Sequence, residues 1–115
     1  MITMNKMQFQ KDPILMNKEP NVVGTSYQGK IRATYDTLVE AFGDPTHARL
    51  SEDGKTNVEW DLFFETAEGP VVATIYDWKT DQDCFEKEYD WHIGGHDFRS
   101  TDVVYDFVEM KTNCL

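Results

Sequence analysis

The chain has 115 residues and carries 11 Lys and Arg against 21 Asp and Glu, a formal charge of −10. That length holds one small domain, large enough to build a core without a metal or disulfide staple. All of the acidic excess lies in residues 51–115, where five basic side chains face sixteen carboxylates, and this excludes sequence-independent binding to a nucleic-acid backbone, which needs clustered Lys and Arg.

Residues 1–20 contain Pro13 and Pro20, no sustained periodicity and three methionines in the first seven positions. They read as a flexible N-terminal arm ahead of a single α+β domain at 21–115, with Phe9, Ile14 and Leu15 as docking points. From Val22 to Ala33 the sequence predicts a short strand and a glycine-containing turn. A helix follows, capped by Thr34, with Tyr35, Leu38, Val39 and Phe42 on one face and Gly43 and Pro45 as its stop. The alternation in residues 57–65 puts Val58, Trp60, Leu62 and Phe64 on one side of a strand and Glu59, Asp61, Phe63 and Glu65 on the other. Ala67, Glu68 and Gly69 turn the chain into a β-branched return strand, and Glu88–Gly94 supplies a third. A last helix runs from about Ser100 to Met110, with Ser100 or Asp97 as N-cap and Val103, Val104, Phe107 and Val108 at helical spacing. The expected architecture is α+β in the order β-α-β-β-β-α: a three-stranded antiparallel meander, with room for a fourth short strand, and two helices packed on its apolar face.

No apolar run reaches the roughly 18 residues of a membrane span, and the N-terminus lacks the apolar core of a signal peptide, so no membrane association is expected. Cys84 and Cys114 have no CxxC spacing or neighbouring ligand cluster and read as reduced bystanders. The other face of the sheet receives Phe63, Tyr76 and Trp78, with His92 added if the third strand is in the right register. Exposed rings in a row offer a stacking surface, although cross-strand aromatic pairs also stabilise sheets without any ligand.

The segment Trp91-His92-Ile93-Gly94-Gly95-His96 ends a strand just before a helix. Adjacent glycines at such a transition let backbone N–H groups point outward beside a helix N-terminus, an arrangement that suits an anion, with His92, His96 and Arg99 as further donors. A plain glycine turn is the alternative. Gly24-Thr25-Ser26 is a second candidate of the same kind. His92 and His96 lie across a glycine turn, not on one helix face, which argues against a metal site. Asp61, Asp77 and Asp90 could converge as acid–base groups, but on so acidic a chain chance adjacency explains them equally well. With no nucleophile elbow, P-loop or GxGxxG, the chain reads as a non-enzyme without a cofactor.

The runs GTSYQGKIRATYDTLVEAFGDP (24–45), VEWDLFFE (58–65), VATIYDWK (72–79) and WHIGG (91–95) resemble a family of small phage-encoded proteins. The resemblance covers roughly residues 22–110, and the pairing of ATIYDWK with WHIGG is its most specific part. It implies a phage protein acting in the host cytoplasm, of a kind often directed against host defence or transcription; some compact phage proteins sequester nucleotide second messengers. Two functions follow as expectations. In the first, a cleft, at a dimer interface in one version, sequesters a nucleotide-derived immune signal by stacking on Tyr76 or Trp78 and by donors from Thr25, Ser26, Gln28, Lys79, His92 and the Gly94-Gly95 backbone. In the second, the acidic 51–115 surface, with Glu59, Asp61 and Glu65, mimics nucleic acid and occupies a basic groove of a host enzyme.

Overall fold

A computed structural model describes residues 13–50, 56–77 and 87–112. Their elements are β1 (Ile14–Leu15), β2 (Ser26–Ala33), α1 (Tyr35–Phe42), β3 (His47–Leu50), β4 (Thr56–Thr66), β5 (Gly69–Tyr76), β6 (Tyr89–Gly95) and α2 (Arg99–Thr112). The α+β class agrees with the sequence, but the sheet has six strands, not three or four. Its order is β1-β4-β5-β6-β2, with every pairing antiparallel, and β3 adds to the β4 edge alongside β1. The β4–β5–β6 meander stands as expected. β2 closes its far side, while β1 and β3 share the near edge, at Phe64–Glu65 and at Thr56–Glu59 respectively.

The alternation in β4 does what it predicts: Val58, Trp60, Leu62 and Phe64 are buried, as are Val71, Ala73 and Ile75 on β5 and Trp91 and Ile93 on β6. Leu38, Ala41 and Phe42 of α1 and Val103, Val104 and Phe107 of α2 join the same core. Phe42 stacks on Phe107 at 5.4 Å, and Phe64 meets Phe107 edge-on at 5.3 Å. Thr34 Oγ1 accepts from the Thr37 N–H at 3.1 Å, and Gly43, at φ 85°, donates to Val39 O at 2.7 Å, so both expected ends of α1 are made. Asp97 takes the capping role for α2: its Oδ1 accepts from the Arg99 N–H at 3.0 Å, leaving Ser100 inside the first turn.

Gly29 does not turn the chain; it follows Gln28, the extra residue of a β-bulge in β2, where the register steps from Tyr27↔Gly94 to Gly29↔Ile93. A Cβ there would come within 3.1 Å of Thr101 Oγ1, so α2 packs over a bare backbone. Leu15 packs on the core, and the Met16 N–H donates to Phe63 O at 2.9 Å, tying the segment before β2 to the sheet edge. Phe9, Cys84 and Cys114 lie outside the described residues.

Candidate functional site

Because directly paired residues of antiparallel strands project to the same face, the registers put His47, Glu59, Tyr76, His92 and Lys30 in one row across five strands. The adjacent row holds Asp61, Thr74, Gly94 and Tyr27. This is the face opposite the helices, and it carries His92 there with Phe63 and Tyr76. The His92 ring sits between Tyr27, at 5.0 Å, and Tyr76, at 5.5 Å. Burial, with a smaller contribution from the Lys30 charge, holds the imidazole below its ordinary pKa. Tyr27 remains 53% exposed. At the other end of the face Lys18 lies over the Phe63 ring at 4.6 Å.

Beside these rings the chain before β2 encloses a cavity of about 200 Å³. Val22, Thr25 and Ser26 form one side, Glu59 and Tyr76 the other, and Thr74 and Gly94 the floor. Gly94 is required here for closeness. A Cβ on it would stand 2.5 Å from Thr74 Oγ1 and 3.4 Å from a Tyr76 ring carbon. Gly95 serves the opposite face, where a Cβ would lie 2.4 Å from Ser100 of α2.

The anion site expected at Gly94-Gly95 is therefore not built. Both glycines lie inside the central strand β6, paired to β5 and β2, and neither has positive φ. The N-terminus of α2 is occupied by the protein's own Asp97 carboxylate, which also holds Arg99 by two hydrogen bonds of 3.1 and 3.0 Å. His96 Nε2 pairs with Asn21 O at 3.2 Å. Of the residues expected to bind a ligand, the fold brings Thr25, Ser26, Tyr76 and Gly94 to the cavity and His92 to its flank. Gln28 is turned to the β2–β6 ladder, where its amide donates to Ser26 Oγ and Gly95 O, both at 3.2 Å. Trp78 and Lys79 lie outside the described residues.

The sequence puts Glu59 and Asp61 together on a charged face, with Asp61 also weighed as an acid–base group beside Asp77 and Asp90; the structure makes them a partly buried pair. Asp61 is no surface acid: its side chain is 10% exposed, Oδ2 lies 3.3 Å from His47 Nε2, and its N–H donates to Thr46 Oγ1 at 2.9 Å. Oδ1 of Asp61 is fully buried and finds no conventional donor. Glu59, when protonated, hydrogen-bonds to the Asp61 carboxylate. Burial first, then the hydrogen bond to Asp61 and the charges of Asp61 and Asp77, raise its pKa from 4.5 to about 8. Glu59 thus holds its proton at neutral pH, beside Asp61. The i, i+2 spacing on an alternating strand was the available signal, since it places both groups on one face.

Asp61 also borders a larger cavity, of about 560 Å³, in the gap between β1 and β3 on the β4 edge, where Lys18, Pro20, Phe42, Thr46 and Trp60 contribute. Among the described residues no group of three or more His, Cys, Asp or Glu is arranged to hold a metal ion, and no helix is long and apolar enough to cross a membrane. Compared with protein-family models, curated proteins and solved structures, the chain matches none.

Proposed function

We propose that this protein is a phage-encoded anti-defence protein that binds and sequesters a nucleotide-derived signalling molecule without turning it over. The observation that carries the reading is the open-face cavity: it has room for one heterocyclic base, hydroxyl and carboxyl groups on its walls, and the Tyr76 and His92 rings beside it. Ring stacking contributes ~1–3 kcal/mol per base, enough with a few directed hydrogen bonds to hold a small ligand. The phage setting rests on the resemblance of the ATIYDWK and WHIGG segments.

The test is thermal. Purified protein incubated with cyclic dinucleotides, cyclic trinucleotides and ADP-ribose-derived signals should melt several degrees higher with at least one of them, and heating should release that ligand intact. Absence of a shift across the panel overturns the reading, and recovery of cleaved ligand overturns its non-enzymatic part.

The net charge of −11 over residues 51–115 favours a second reading, an acidic inhibitor that fills a basic groove on a host protein. Two of the carboxylates such a surface would offer are poorly suited to it, because Asp61 is nine-tenths buried and Glu59 is largely protonated at neutral pH. That reading predicts a salt-sensitive complex from host lysate, unaffected by His92→Ala; a complex indifferent to salt counts against it.

A further inference from the structure

Three polar groups around the open-face cavity present acceptors to it. Thr25 Oγ1 has its hydrogen committed to Val22 O at 2.8 Å, so toward the cavity it offers lone pairs. The Ser26 carbonyl lies 3.4 Å from where a Cβ of Gly94 would stand, on the cavity floor. Glu59 supplies a carboxyl from the opposite wall. An edge rich in acceptors is complemented by an edge rich in donors, and among base edges the exocyclic amino group is the donor that carboxylates take.

We infer that the cavity reads the amino-bearing edge of a base, with Glu59 as the acceptor that selects it and Thr25 as a second acceptor across the cavity. The inference rests on the nucleotide reading above and adds to it the part of the ligand that is recognised and the residue that recognises it. The shape of the site supports this assignment. Gly94 has no room for a side chain, so the floor stays flat against Thr74, and the Tyr76 ring closes one flank. Asp61 backs Glu59 from two residues along β4 and is itself oriented by His47, which fixes the carboxyl pair from behind. The acidic surroundings do not oppose such an edge, since an amino group is attracted by them, whereas they would repel a phosphate placed at the same point.

The experiment uses two pairs of nucleotides, each differing by one amino group: adenosine against purine-riboside 5′-monophosphate, and guanosine against inosine 5′-monophosphate. Binding is followed by amide chemical shifts on the full chain at pH 7. In at least one pair, deleting the amino group weakens binding by about threefold to tenfold, as expected for a hydrogen bond accepted by the carbonyl oxygen of the neutral Glu59 carboxyl. Glu59→Met, which removes the acceptor at similar length, then brings that ratio close to one, while Glu65→Met, farther along the same strand, leaves it unchanged; retention of a cooperative melting transition by both variants shows that the comparison is not one of folding. Equal binding within both pairs, or a ratio that survives in Glu59→Met, overturns the inference and leaves the nucleotide reading intact. Failure of all four nucleotides to bind also overturns it, and sequestration is then decided by the signal panel alone.

Discussion

The carboxyl of Glu59 keeps its proton to about pH 8 in the folded protein, whereas an ordinary glutamate has released it by 4.5. Between those values the native state binds more protons than the unfolded chain, so this group makes stability fall as pH rises from about 4.5 through 8, with no further change beyond. Glu59→Gln removes the titration while its amide can still donate to the Asp61 carboxylate. In thermal melts the variant should match the wild type near pH 5 and exceed it progressively toward pH 8.5; parallel curves would show that Glu59 ionises normally. Neither this carboxyl nor the glycines was readable for what it is from sequence. Glu59 and Asp61 were visible as same-face acids, but their burial depends on β3 and on Thr46, which local patterning does not reveal. Gly94 and Gly95 look like a turn because the contacts that require them, Thr74 and Ser100, belong to a neighbouring strand and a later helix.

At the scale of elements, α1 shows why local signals succeed and where they stop. Its eight residues are too few to be stable alone, and its caps account for only part of its support. Two core tryptophans supply more: Trp91 Nε1 donates to Ala33 O at 3.0 Å just before the helix, and Trp60 Nε1 donates to Gly43 O at 2.9 Å just after it. The indoles meet edge-on at 5.4 Å, so one aromatic pair from β4 and β6 holds both ends of α1. Trp91→Phe should cost about 1–3 kcal/mol by stranding a buried carbonyl, and Trp60→Phe less, because its hydrogen bond is only partly buried. Denaturant unfolding measures both, and equal or negligible losses would mean that the indole N–H groups do not hold the helix. Helix caps and strand alternation were legible in the sequence because they are written within ten residues. By contrast, β3 was missed because His-Ala-Arg-Leu has little strand character of its own and forms only by pairing with β4. β2 was cut short because a glycine at a bulge looks locally like a glycine in a turn.

For the whole molecule, the −10 charge fixes the sign of an effect that separates directed recognition from bulk attraction. The fold pairs two of its cations with its own carboxylates at the surface: Arg32 lies 3.4 Å from Glu88 and 3.2 Å from Asp90, and Arg99 is held by Asp97. An anionic nucleotide approaching this protein therefore meets net repulsion at long range and gains its affinity only within the cavity and its flanking rings. Raising salt from about 10 to about 100 mM shortens the screening length from ~30 to ~10 Å, which weakens that repulsion while leaving short directed contacts nearly intact. Affinity for the nucleotide should accordingly stay level or improve by a small factor over this range, measured calorimetrically at constant pH. A protein that binds phosphates by releasing counterions behaves oppositely and loses orders of magnitude as salt increases. A steep loss would mean that binding depends on clustered cations, and would move the site away from Glu59 and Tyr76 altogether.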